Sequence, residues 1–144
     1  MNKDIKKINS VLIINGANLN LLGKREPEIY GNQDFESYLT ELKQMFPKIN
    51  ISYFQSNIEG EIVDALQSCT QDAVILNAGG YSHTSVVIRD VIQVINQPVI
   101  EVHISNIFAR ESFRQTSLLS PVCNGCIIGL GLKGYKLALQ SLID

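Results

Sequence analysis

The sequence predicts an α/β domain, a three-layer sandwich around a five-stranded parallel sheet. Three observations carry that expectation. Short apolar runs alternate along the chain with segments of helical period. The runs are predominantly apolar, as strands covered on both faces are. The stretches between them are long enough for crossover helices, which parallel neighbours require. With 144 residues, 45% of them apolar, the chain can bury a core of its own. One domain over 1–144 is expected, with 1–10 as a flexible N-terminal extension and 16–33 as a lid loop over a site.

The strand candidates are VLIIN at 11–15, INISYF at 49–54, AVILN at 73–77, PVIEVHI at 98–104 and CIIGL at 126–130. Phe35, Tyr38, Leu39, Leu42, Met45 and Phe46 recur at helical spacing behind Asp34, which suits an N-cap. Ser56 to Glu59 has the spacing of a capping box, and Ile58, Ile62, Ala65, Leu66 and Cys69 form the second helical stripe. The third and fourth helices follow Thr84 and Gly131. Strict alternation with right-handed crossovers makes a flavodoxin-like arrangement the economical one.

The third helix, 85–96, wraps Val86, Val87, Ile88, Val91, Ile92, Val94 and Ile95 around most of its circumference. One sheet cannot cover all of that surface, so a homo-oligomer contact is expected there.

A formal net charge of −2, from 12 Lys and Arg against 14 Asp and Glu spread along the chain, leaves no electrostatic footprint for nucleic acid or a membrane surface. No apolar run approaches the roughly 18 residues of a membrane span, and MNKDIKKINS lacks a signal-peptide pattern, so a cytoplasmic protein is expected. Three cysteines, an odd count, exclude a full disulfide framework. The Cys123–Cys126 pair runs into a strand rather than opening a helix, which favours packing over redox or metal use.

Two connections, 16–33 and 105–125, exceed simple turns, and both leave carboxyl ends of strands, where open α/β sheets bind ligands. In the first, Arg25 and Tyr30 flank Pro27. A nearby guanidinium favours a phenolate, so the pair suits an activated general base; an exposed turn is the plainer reading. NAGGYSHTS puts Asn77 at the sheet edge and His83 just before a helix, which fits either an anion-holding turn or a capped surface turn. Glu101, His103 and Ser105 share one alternation phase in an apolar strand. His103 is then either a structural histidine or a general acid tuned by Glu101. Arg110 and Arg114, four apart, can face one mouth and hold an anionic or polyhydroxylated ligand, or form a solvated basic face. GLGLKG at 129–134 matches GxGxxG, but only ten residues follow, with no second strand or acidic partner, so close strand–helix packing explains it better than a dinucleotide.

NGANLNLLGKREPEIYG, ILNAGGYSHTSVVIRD, EVHISN, RESFR and GLGLKGY, in this order over 11–142, resemble the type II 3-dehydroquinate dehydratases. That resemblance implies a dodecamer built as a tetramer of trimers, which dehydrates 3-dehydroquinate to 3-dehydroshikimate without metal or cofactor, in the shikimate or quinate pathway. It implies that Tyr30 removes a C2 proton while Arg25 favours its phenolate. Asn18 and Asn77 are implied to position a water at the enolate, and His103, oriented by Glu101, to protonate the departing C1 hydroxyl. The backbone amides of Ile104 and Ser105 are implied to bind the carboxylate, and His83 and Arg114 the ring hydroxyls. Asp90 matches a residue that reaches a neighbouring subunit's site. Ala17 stands where the family usually has Pro, and Thr116 and Leu118 replace the His and Tyr usual after RxxFR, which bears on the support of the arginine loop.

The eight lysines lie mostly in charged or loop segments, which disfavours a Schiff-base route. A receiver domain would need acids where Asn15 and Asn77 stand, and an FMN carrier a Ser/Thr-rich loop where GANLNLLG stands.

Overall fold

The computed structural model describes residues 6–24, 28 and 32–144. Five strands, β1 (Ser10–Asn15), β2 (Asn50–Gln55), β3 (Ala73–Asn77), β4 (Val99–His103) and β5 (Gly125–Ile128), form one parallel sheet in the order β2-β1-β3-β4-β5. Helices α1 (Phe35–Met45), α2 (Glu59–Gln67), α3 (Val86–Val94) and α4 (Lys133–Ile143) cover it. The order is that of the flavodoxin-like class expected from the alternation.

Side-chain alternation along each strand divides the core into two layers. Val11, Ile13, Ile75 and Val102 point toward α1 and α4, where they meet Phe35, Tyr38, Leu42, Tyr135 and Leu139. Leu12, Ile14, Val74 and Leu76 point the other way, onto Ile62 and Leu66 of α2 and Ile88 and Ile92 of α3. Asp34 caps α1 as expected, its Oδ1 accepting the Ser37 N–H at 2.8 Å, and Ser85 caps α3 through the Ile88 N–H at 3.0 Å.

Three expectations are corrected. Residues 8–10 are not a free extension: β1 opens at Ser10, Ile8 is buried, and Asp72 Oδ2 accepts the N–H groups of Asn9 and Ser10 at 2.8 and 3.0 Å. The capping arrangement before α2 joins Ser56 to Glu61 rather than Glu59. Extended backbone at Ile58 starts the helix at Glu59, so the residue that reaches back lies one turn in. The same geometry leaves Ile58 59% exposed instead of in the apolar stripe.

On α3, Ile88, Val91 and Ile92 are buried, whereas Val86, Val87 and Val94 remain 58%, 51% and 79% exposed. The sheet covers one side of this helix and leaves the other apolar side bare, as the sequence pattern requires. In GLGLKG, a Cβ on Gly134 would lie 3.2 Å from Val102 Cγ1. That glycine lets α4 approach the sheet closely. Among the described residues no helix is long and apolar enough to cross a membrane, and no group of three or more His, Cys, Asp or Glu is placed to hold a metal ion.

Candidate active site

The carboxyl edge of the sheet carries a cavity enclosing about 120 Å³. Asn18 lines it from the loop after β1, and Asn77, Gly79, Gly80 and His83 from the segment after β3. His103, Ile104, Ser105, Arg110 and Arg114 line it from the end of β4 and beyond. Leu19, Leu22 and Ile107 supply apolar wall. Six separate polar expectations, Asn18, Asn77, His83, His103, Ser105 and Arg114, thus converge on one mouth, with Ile104 beside them.

Backbone contact fixes the floor. The Gly16 N–H donates to the Asn77 carbonyl at 2.7 Å, and a Cβ on Gly16 would sit 2.3 Å from the Ala78 oxygen, so no side chain fits there. Asn18 adopts φ 69°, the left-handed region that asparagine tolerates better than most residues, and its N–H donates to Asn57 Oδ1 at 2.9 Å. Asn77 is held at both ends of its amide. Its Oδ1 accepts the Gly79 N–H at 3.2 Å, and its Nδ2 donates to the Tyr135 hydroxyl at 2.9 Å. Tyr135 in turn donates to Asn15 Oδ1 at 2.7 Å, and Asn15 Nδ2 to the Tyr53 hydroxyl at 3.3 Å. Burial and the neighbouring tyrosines keep the Tyr135 phenol protonated far above its ordinary range, against the lowering effect of Asn77 and Asn15.

His103 and Glu101 sit two residues apart on β4, so both project to one face of the strand, and both are buried. Their contact is His103 Nε2 to Glu101 Oε2 at 2.8 Å. An ionised carboxylate can only accept, so Nε2 carries the proton and Nδ1 is the ring nitrogen left for chemistry. Burial pushes the Glu101 carboxyl up, but the bond and charge of His103 and the hydroxyls of Ser117 and Ser120 outweigh it and hold Glu101 below its ordinary value. The His83 ring lies 6.2 Å from that of His103, inclined by 29°, and His83 Nδ1 pairs with the Thr116 carbonyl at 2.8 Å.

Arg110 and Arg114 do not share one helical turn. Extended backbone at Arg110 and Glu111 separates the 3₁₀ turns Ile107–Ala109 and Ser112–Arg114, yet both side chains reach the cavity. Arg114 Nε bonds both oxygens of Glu111 at 3.2 Å, and Arg110 Nη1 donates to Ser105 Oγ at 3.4 Å. At Thr116 and Leu118, the positions of two of the departures, backbone groups make the contacts to neighbouring segments. Thr116 holds His83 by its carbonyl, the Leu118 N–H donates to the Ser82 carbonyl at 2.8 Å, and the Leu118 carbonyl accepts Arg89 Nη1 at 2.7 Å.

Asp90 does not line the cavity of its own chain; it is exposed on α3 beside Val87 and Val94. Arg25 and Tyr30 lie outside the described residues. The ends of their loop meet, since a Cβ on Gly23 would stand 2.9 Å from the Asn32 oxygen. No sequence pattern singles out Ser117, Ser120 or Tyr135, and Asn15 counts only against a receiver domain. Isolated serines in a loop carry no periodicity, and the tyrosine reads as one more core residue of α4.

A sequence profile described as dehydroquinase class II matches residues 9–143. A protein of Campylobacter lari named 3-dehydroquinate dehydratase is 52% identical over 138 residues, covering 93% of this chain and 86% of that protein. One of Francisella philomiragia with the same name is 52% identical over 136 residues, covering 93% and 94%. The crystal structure of the type II dehydroquinase from Butyrivibrio crossotus superposes with a TM-score of 0.90 at 42% identity, covering 94% of this chain and 97% of that one. The profile spans almost the whole chain and the relatives share half its residues, so the chain belongs to the class II dehydroquinase family.

Proposed function

We propose that this chain is a hydro-lyase that removes water from 3-dehydroquinate to give 3-dehydroshikimate, through an enolate, in the shikimate pathway. Membership of the family supports the reaction. The observation in the fold that carries it is the buried His103–Glu101 pair, whose free ring nitrogen belongs to a histidine lining the cavity.

In this reading Tyr30, as phenolate beside Arg25, takes the C2 proton, and the electron pair moves onto the carbonyl oxygen as an enolate. Asn77 is suited to hold a water against that charge together with Asn18, because its amide is pinned by Gly79 and Tyr135 and needs no reorganisation. His103 then delivers its Nδ1 proton to the C1 hydroxyl, which departs as water while the enolate collapses to the enone. Glu101 orients the ring. The backbone amides of Ile104 and Ser105 take the substrate carboxylate, and His83 and Arg114 the ring hydroxyls. No metal or cofactor enters these steps.

Assembly belongs to the same proposal. A second copy seated on Val86, Val87 and Val94 covers the bare side of α3 and carries Asp90 toward a neighbour's site, and the resemblance extends this to a dodecamer, a tetramer of trimers. Light scattering at micromolar concentration should read a multiple of the 16.0 kDa chain mass, and the mass of a single chain would contradict the assembly. A cytoplasmic location is proposed with it, in keeping with the odd cysteine count.

Mixing the purified protein with 3-dehydroquinate and EDTA tests the reaction. The conjugated product absorbs, and the absence of tryptophan keeps the protein background low. Absorbance rising with enzyme concentration is expected; a flat trace from folded, assembled protein would overturn the assignment.

A further inference from the structure

Glu101 has no exposed surface, so every partner of its carboxylate is protein. Oε2 accepts from His103 Nε2 at 2.8 Å and from Ser117 Oγ at 2.6 Å, and Oε1 accepts from Ser120 Oγ. The direction of the Ser117 bond is fixed independently. Its oxygen already accepts the N–H groups of Leu119 and Ser120 at 3.1 and 3.2 Å, so its proton points at Glu101.

We infer that Ser117 and Ser120 are positioning residues for the elimination, acting through Glu101 to keep a transferable proton on Nδ1 of His103. The inference rests on the function proposed above. Its chemistry is a choice between two places for one proton. With the proton on Nε2 and Glu101 ionised, the ring that holds a second proton at Nδ1 is an imidazolium, an effective acid toward a departing hydroxyl. With that proton on Oε2 instead, the same ring is a neutral imidazole whose Nδ1–H is a very weak acid. Two hydroxyl donors stabilise the carboxylate and not the carboxylic acid, so they select the first arrangement. Among the described residues, His83, stacked at 6.2 Å, Arg110, bonded to Ser105, and Arg114, which lines the same cavity, are the other titratable groups that face the ring.

The serines also tie the acid to the arginine segment, since they lie three and six residues after Arg114 and beside the Thr116 and Leu118 backbone contacts to His83 and Ser82. Ser117 has a second, structural duty at its two backbone donors. The side chain of Ser120 has only its bond to Glu101 among the described contacts, which makes Ser120→Ala the clean variant.

Ser120→Ala should lower kcat by roughly 10- to 100-fold while KM changes by less than about two-fold. Ser120→Thr, which keeps the hydroxyl, should restore most of the loss. Nitrogen-15 NMR of the substrate-free protein gives a second readout, simplified because the chain has 2 histidines. In the wild type, Nε2 of His103 should be pyrrole-type; in Ser120→Ala and in the Ser117→Ala, Ser120→Ala pair it should move toward pyridine-type. An unchanged Nε2 signal with unchanged kcat in Ser120→Ala would overturn the inference, as would loss of activity without any change in the ring signal. The NMR readout needs no turnover, so a wild type inactive on 3-dehydroquinate would sink the functional reading and leave the arrangement of the proton separately decided.

Discussion

Tyr30→Phe should abolish turnover of 3-dehydroquinate and leave the fold intact. The substitution removes one oxygen, the atom proposed to take the C2 proton, and general-base catalysis of this kind contributes on the order of 10²–10⁴ in rate. His103 does not replace it in the proposed reaction, because its Nδ1 is the proton donor to the departing hydroxyl while its Nε2 bonds Glu101. Phenylalanine keeps the aromatic ring and loses only the hydroxyl, so thermal unfolding should match that of the wild type. Steady-state kinetics alongside a melting curve check both halves. A kcat within a few-fold of wild type would remove Tyr30 from the mechanism.

Glu101→Ala should have the largest effect on stability of any change at the site. It deletes the shared acceptor of His103, Ser117 and Ser120 and leaves one buried and two half-buried donors unpaired. Breaking a buried pair from one side costs about 3–5 kcal/mol, so the urea midpoint should fall sharply, and kcat with it. The pH dependence has a definite sign. Glu101 is held below its ordinary value of 4.5 in the folded protein. Its ionised form therefore contributes stability that is fully present above about 4.5, the unfolded value, and is lost as pH falls through the lower folded value. The stability gap between wild type and Glu101→Gln should be widest near neutrality and narrow on acidification below 4.5. A gap independent of pH would mean that Glu101 is not held ionised.

Much of this was legible in the sequence because it depends on periodicity and on motif chemistry. Short apolar runs located all five strands to within a residue or two, and Asp34 marked the start of α1. The excess apolar surface of the third helix anticipated the bare side now seen at Val86, Val87 and Val94. The shared phase of Glu101 and His103 anticipated their contact, because alternation alone puts both on one face of β4. What was not legible depends on loops. Extended backbone at Ile58 and at Arg110–Glu111 displaced a cap and broke an expected helical turn, and neither has a periodic signature. Ser117 and Ser120 reach Glu101 across 16 and 19 residues, and Tyr135 reaches Asn77 across 58, separations over which no local pattern operates.

The proposed reaction places 3-dehydroquinate in the cavity at the carboxyl edge of β1, β3 and β4, with its departing oxygen at Nδ1 of His103. The crystal structure of the Tyr30→Phe variant with 3-dehydroquinate tests it directly. The substrate carboxylate is expected on the backbone amides of Ile104 and Ser105, and the C1 oxygen within about 2.6–3.2 Å of His103 Nδ1. A substrate bound elsewhere, or with C1 turned away from His103, would contradict it.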